Sequence, residues 1–383
     1  MKIDQIRVHL IRLPFCLDFS HSCKSESYSD NIVVELISEG GKVTGFGEGA
    51  PRTYVTGESH ETAPASIRHL LNPAWFPWDL EDPAEIWAFV DRLPDEKEHN
   101  TALCALETAM LDALAKTQHC SAGEYFSSKF RTDEIYYGAV LPLGEKKRIR
   151  ELSSMIRTLG IHRLKVKLGG DLGENRGILE GVRQGFNGAC ELKADVNGAW
   201  TLKTALEHIS LLKQQGVSII EQPMKPGDPD LAEFSVQARR FGLKLMADES
   251  VCSMGETLQM LVESSYDIVN VRLSKCGGFR RSLKIVELLR SHKKAFQIAC
   301  QLGESGLLSA AGRMLSLLCK DALYHDGSYD QYLLKENITK EDVSFGYGGR
   351  AGPLGGVGLG VTVDPLSLER LKASPDVFSV SRP

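Results

Sequence analysis

Five short apolar runs recur through the middle of this chain, at 163–169, 191–197, 217–223, 243–249 and 267–275, and each closes on charged residues. From Lys167 through Asp195, Glu221 and Asp248 to Lys275 the spacing stays between 26 and 28 residues. One strand, one helix and two loops need about that much chain, so the period is that of a (β/α) barrel. Strand C-termini in such a barrel converge on one mouth, which would make neighbours of residues far apart in sequence.

Three carboxylates gathered at that mouth would repel one another in a site of reduced dielectric, so positive charge must lie between them. A divalent cation is the simplest source. Asp195, Glu221 and Asp248 are hard oxygen donors with no Cys or His at equivalent positions, which points to Mg2+, or Mn2+, rather than zinc. Three monodentate ligands leave coordination positions open, so a small-molecule carboxylate substrate can complete the shell of a Lewis-acid metal. Lys165 and Lys167, two apart on one strand, project from the same face, while Lys275 arrives from several strands away. Neighbouring lysines depress one another's pKa, giving a neutral, basic amine near pH 7. That is equipment for moving a proton at the carbon beside a carboxylate.

The Lys-x-Lys pair at 165 and 167, Asp-x-Asn at 195 and 197, Glu-Gln-Pro at 221–223, Asp-Glu-Ser at 248–250 and Lys-Cys-Gly-Gly at 275–278 together resemble the enolase superfamily, in its muconate-lactonizing-enzyme subgroup. The resemblance covers nearly the whole chain. It implies a (β/α)7β-type TIM barrel with an N-terminal α+β capping domain completed by the C-terminal segment. By the same resemblance Lys167 and Lys275 are the two acid/base groups, Lys165 helps to stabilise an enolate, and Asp195, Glu221 and Asp248 hold the metal. The seventh strand, with Ala299, Cys300 and Gln301 at its end, lacks the His of the mandelate-racemase branch and so favours the two-lysine branch. Members of the family are commonly dimers or octamers, which implies a homo-oligomer.

At 383 residues there is room for a barrel of about 250 residues plus an accessory unit. A net charge of −5 gives no reason to expect nucleic acid or an anionic membrane as partner. The N-terminus interrupts its apolar residues with charges, unlike a signal peptide, and no run approaches the ~20 apolar residues of a membrane span. The expected location is the cytoplasm, where the nine cysteines, scattered without a Cys-x-x-Cys pair, would be reduced thiols. Cys16 and Cys23 are close enough in sequence to pair, but free thiols are the preferred reading.

Residues 1–130 read as the capping unit, 131–345 as the barrel and 346–383 as a return to the cap. In the cap, alternation at 3–10, 31–38 and 42–48 predicts a three-stranded meander, and helices are expected at 61–71, 83–93 and 101–116, the last with one apolar face through Leu103, Leu106, Met110 and Leu114. The turn at 17–28 and the loop at 51–58 are the family's specificity loops. Within the latter, Tyr54 and Thr56 are candidate substrate contacts, and Thr56-Gly57-Glu58 is similar to dipeptide epimerases, although a polar loop closing a sheet would look the same. Barrel strands are expected at 135–140, 295–300 and, as a short eighth, 322–326. Helices should fill 144–159, 173–184, 201–215, 229–241, 254–264 and 278–292 between the charged runs.

Asn197, Glu304 and Asp326 are further substrate-binding candidates. Dipeptide epimerases place an Asp-x-Asp at the eighth strand to hold an α-ammonium, whereas here Asp326 and Asp330 are separated by three residues. A dipeptide or an N-substituted or cyclic amino acid would each satisfy Asp326. The glycine-rich 346–360 leads into an expected strand at 361–364, not into a phosphate-binding helix, which excludes Rossmann and P-loop readings, and a terminal helix is expected at 366–372. No Gly-x-Ser-x-Gly elbow supports a serine hydrolase. The expected activity is epimerisation or racemisation by two lysines. A lyase of the same family (a dehydratase of a hydroxy amino acid, or a cycloisomerase of muconate type) shares the first proton abstraction, and a metal-dependent binding protein is the alternative from another class.

Overall fold

In the computed structural model of the chain the described residues are 1–383 apart from 22, 23, 189 and 375–377, and side chains are described outside 17–26. The chain opens with β1 (Ile3–His21), β2 (Lys24–Ser38) and β3 (Val43–Gly49), an antiparallel meander. The expected turn at 17–28 is instead the far end of the β1–β2 hairpin, with Phe19 opposite Glu26 and His21 opposite Lys24. Backbone groups make the ladder, so polar residues can prolong it. Cys23, and with it the Cys16–Cys23 pairing, lies outside the described residues; the eight described cysteines are free thiols.

Helix α3 (Asn100–Thr117) covers this sheet, and α1 (Ala63–Leu70) and α2 (Pro83–Arg92) pack against α3. The expectation of one apolar face on α3 is too narrow, because every residue from Asn100 to Ala115 is buried. Its second face carries small residues. Thr101, Ala105, Ala109 and Ala113, four apart, lie against Gly45, Gly47 and Gly49, which alternate on one face of β3. A Cβ at Gly47 would stand 2.1 Å from the Ala105 carbonyl oxygen, so strand and helix meet backbone to backbone.

The barrel region begins with β4 (Ile135–Tyr136) and β5 (Ala139–Leu141), where one strand over 135–140 was expected. The break arises because β4 pairs with the C-terminal segment and only β5 joins the parallel sheet. Then follow α4 (Lys146–Thr158), β6 (Arg163–Lys167), α5 (Leu172–Phe186), β7 (Glu191–Asp195), α6 (Leu202–Gln214) and β8 (Val217–Glu221). After these come α7 (Leu231–Arg240), β9 (Lys244–Ala247), α8 (Met254–Glu263), β10 (Ile268–Arg272), the single turn α9 (Leu273–Cys276), α10 (Gly278–Ser291), β11 (Ala295–Ala299) and α11 (Gly306–Leu317). The seven strands β5 to β11 lie in sequence order in one parallel sheet.

The expected eighth strand at 322–326 follows β11 through three backbone hydrogen bonds, Leu323 N to Phe296 O, Ile298 N to Tyr324 O and Asp326 N to Ile298 O, without forming a regular strand. His325 alone bridges both neighbours, Ile298 on β11 and Tyr137 just before β5, and so closes the barrel. Burial lowers the His325 pKa to about 4, which keeps it neutral in this seam. Beyond it lies only the four-residue α12 (Asp330–Leu333), in place of a full eighth helix.

The glycine-rich segment contributes β12 (Arg350–Ala351) to β4. Its expected strand at 361–364 reduces to one bridge between Val363 and Thr339, because Asp364 turns to cap α13 (Pro365–Arg370) through the Ser367 N–H. Finally β13 (Phe378–Ser381) pairs antiparallel with β1, giving the cap sheet the order β13-β1-β2-β3. The fold is thus a (β/α)7β barrel with an N-terminal α+β cap completed by the C-terminal segment. Among the described residues no helix is long and apolar enough to cross a membrane.

Candidate active site

Register along the sheet fixes the site. Lys167 on β6 pairs with Asp195 on β7, and Asp195 with Glu221 on β8, so three charged residues stand side by side at one level, adjacent strands being ~4.8 Å apart. Lys165, two residues earlier on β6, shares the inward face one step deeper. Lys167 Nζ donates to Asp195 Oδ2 at 2.7 Å and to Asn197 Oδ1 at 2.7 Å. Lys165 Nζ lies 3.4 Å from Glu221 Oε1, 3.6 Å from Asp326 Oδ2 and 3.7 Å from Asp195 Oδ2.

Asp248 follows the end of β9. Its carboxylate is held by Arg272 Nη2 and by Lys275 Nζ at 3.1 Å, and Lys275 also donates to the Asp248 carbonyl at 2.7 Å. Arg272 Nη2 lies 3.5 Å from Glu221 Oε1 as well, so the three acids form a chain with basic groups interposed. Gln222, at φ +39°, locks the two motif loops together: its side-chain oxygen accepts from Asp248 N (3.0 Å) and Ser250 N (3.1 Å).

Lys275 sits in α9, one turn beyond its strand, where the sequence reading put it on the strand itself. The chain bends there because Gly277 and Gly278 take φ of +80° and +90°. The second glycine has a further cause: Glu107, from α3 of the cap, caps α10 through the N–H groups of Phe279 and Arg280, and a Cβ at Gly278 would lie 1.9 Å from its Oε2. Lys275 is fully buried and does not border the cavity described below.

Electrostatics separate the lysines. Burial pulls Lys165 down, but Glu221, Asp326 and Asp195 outweigh it and hold its pKa above the ordinary lysine value. The expected mutual depression of neighbouring lysines is overturned at Lys165, because attraction to three carboxylates exceeds repulsion between ammonium groups. Asp195 is buried too, yet Lys167 and Lys165 keep it below the usual carboxylate range.

The donor set suits a hard divalent cation. Glu221 Oε2 is fully buried with no hydrogen-bond partner, an orphaned acceptor that a cation would satisfy. Among the described residues no three His, Cys, Asp or Glu side chains converge as a ready-made cage, because Lys165 and Arg272 fill the space between the carboxylates.

A cavity of about 200 Å3 opens from this cluster, bordered on its polar side by Lys165, Lys167, Asn197, Arg272, Asp326 and Tyr54. Thr56 and Glu304 lie elsewhere. Thr56 is buried beside Glu58, whose carboxylate accepts from Thr101 N and Ala102 N and so caps α3. Glu304 accepts from Gln301 N, borders a small separate cavity with Cys300 and Asp330, and is raised by burial to about 8. Asp326 is already engaged, by Lys193 at 3.2 Å and Gln297 at 3.3 Å.

Sequence reasoning passed over Arg272 and Lys193. The signal was available, since Lys193 is two residues before Asp195 and Arg272 two after Asn270, the same alternation that put Lys165 and Lys167 on one face.

The family model described as Enolase C-terminal domain-like matches residues 147–367. N-succinyl-L-Arg/Lys racemase of Bacillus cereus is 28% identical over 320 residues, covering 82% of this chain and 83% of that protein. The hydrophobic dipeptide epimerase of Enterococcus faecalis is 23% identical over 370 residues, 96% of each chain. The crystal structure of the Bacillus cereus racemase superposes with a TM-score of 0.86 at 25% identity, covering 100% of both chains.

Proposed function

This chain belongs to the Enolase C-terminal domain-like family, and from that premise we propose that it is a magnesium-dependent epimerase or racemase acting on the α-carbon of a carboxylate substrate, a dipeptide or N-substituted amino acid. The observation that carries the reading is the row Lys167, Asp195 and Glu221 in register on consecutive strands, with Lys275 reaching Asp248 from the other end of the arc. The names of the relatives, a racemase and an epimerase, support the same class.

In this reading Asp195, Glu221 and Asp248 hold the cation. A bound Mg2+ would supply Lewis-acid stabilisation of the substrate carboxylate and of the charge it gains on losing the α-proton. Lys167, acting as the base, takes the α-proton from one face. Lys165, which its carboxylates keep charged, faces the enolate oxygen as a fixed cation. Lys275, acting as the acid, returns a proton to the opposite face and inverts the centre, exchanging its bonds to the Asp248 carboxylate and carbonyl and to the Asn270 carbonyl for the substrate. In the reverse direction the two amines exchange roles. Asn197 orients Lys167 through its side-chain oxygen.

Incubation of the Mg2+-loaded protein with L-dipeptides, N-acyl amino acids, proline derivatives and muconate in 2H2O tests this directly. Epimerisation with deuterium entering the α-position is expected, and Lys167→Ala and Lys275→Ala should each abolish inversion while one retains single-faced exchange. Normal epimerisation by both variants would refute the assignment, and net elimination or cycloisomerisation would move the protein to the lyase branch.

A further inference from the structure

Toward β5 the run 322–326 closes the barrel through the single bridge of His325 to Tyr137, with Gly138 N donating to His325 O, and past that bridge β5 and the chain after Asp326 part company. In a barrel with a full eighth helix that gap would be covered, whereas here it holds the apolar arm of the cavity that begins at Lys165 and Lys167. One wall is a single face of α4, Leu152, Met155, Ile156 and Leu159 recurring at helical spacing. The other is aromatic. Tyr332 stacks on Phe345 with centroids 5.1 Å apart, Tyr329 meets the same ring edge-on at 5.9 Å, and the Tyr329 hydroxyl tethers this wall to the Gly138 carbonyl at 2.9 Å.

Met155 is 52% exposed and Tyr332 40% exposed, so apolar surface runs from the buried amines out to solvent. Among the described residues, the only charged one on the lining outside the lysine–carboxylate cluster is Arg148, which already interacts within the protein. Such walls offer nothing to a charged group and would desolvate it without compensation.

On the reading of the preceding section, we infer that the arm takes the side group of the substrate, and that this group is a bulky uncharged one of phenyl or branched-alkyl type. The size is of the right order: an apolar cavity of about 150 Å3 accommodates a benzene ring, and the whole cavity, its amine end included, measures about 200 Å3.

Matched series test this: N-succinyl-L-X and L-Ala-L-X, with X as Ala, Leu, Phe, Glu or Lys, assayed for α-proton exchange in 2H2O and, independently of turnover, for binding by calorimetry with Mg2+ present. In the accepted series the Phe or Leu member should exceed Ala by about tenfold in kcat/KM and Glu or Lys by more. Leu152→Trp, which fills the arm, and Met155→Glu, an exposed position that tolerates change, should each collapse the Phe-to-Ala ratio at least tenfold. Equal handling of Phe and Glu members, or a ratio unmoved by both variants, overturns the inference while leaving epimerisation intact. If nothing exchanges, the proposed function fails, and the calorimetric preference for Phe over Glu, with its loss in Leu152→Trp, still decides the inference on its own.

Discussion

Gly47→Ala is the sharpest single test of how the cap holds the active site. The added methyl would sit 2.1 Å from the Ala105 carbonyl oxygen and 2.4 Å from Ala109 N, both helix backbone, where ordinary contact is about 3.5 Å. Neither partner can rotate away, so β3 and α3 must separate by more than ~1 Å, a gap that forfeits up to about half of the dispersion attraction between the facing atoms. Overpacking of this kind costs about 1–3 kcal/mol and occasionally more; with backbone on both sides, about 3 kcal/mol is expected. Equilibrium urea unfolding followed by tryptophan fluorescence measures it, with Gly355→Ala as control, since a Cβ there meets nothing within 4 Å. Because α3 also carries Glu107, which fixes the start of α10 just after Lys275, a shifted helix should lower kcat more than it raises KM. A Gly47→Ala protein within 0.5 kcal/mol of its control would refute the close-approach argument.

Glu221→Gln keeps the shape of the fully buried side chain but removes its charge, and should weaken Mg2+ binding by about 100-fold or more by titration calorimetry. His325 is held neutral, with a pKa of about 4 against 6.5 in the unfolded chain, so the unfolded state binds the proton first as pH falls. Stability should therefore be level above pH 6.5 and drop by about 3 kcal/mol between pH 6.5 and 4, and His325→Gln should remove that component of the urea-midpoint profile. Lys193→Met strips a cation from the buried Asp326 carboxylate and should cost about 3–5 kcal/mol, of which the double variant with Asp326→Asn recovers more than half.

The barrel was legible because its repeat is written in the chain: a strand–helix unit has a fixed length, and the charges at 167, 195, 221, 248 and 275 mark it. Alternation placed Lys165 and Lys167 on one face for the same reason. What escaped depends on partners distant in sequence. The eighth run meets β5 only at His325 because its neighbours set the pairing, and the two-sided burial of α3 depends on a glycine strand about 60 residues earlier. The charge state of Lys165 follows from Asp326, some 160 positions away, which no local rule about adjacent lysines can anticipate.

The strand Phe378–Ser381 completes the sheet that Ile3–His21 begins, so the outer side of β1 is paired only by a segment synthesised about 370 residues later. Throughout synthesis that edge of β1 offers unpaired N–H and C=O groups to any passing strand. Docking of the nascent cap onto the growing barrel must therefore outrun intermolecular pairing, and deletion of the last six residues should show itself first as a lower yield of soluble protein during expression, before any loss of turnover in the fraction that folds.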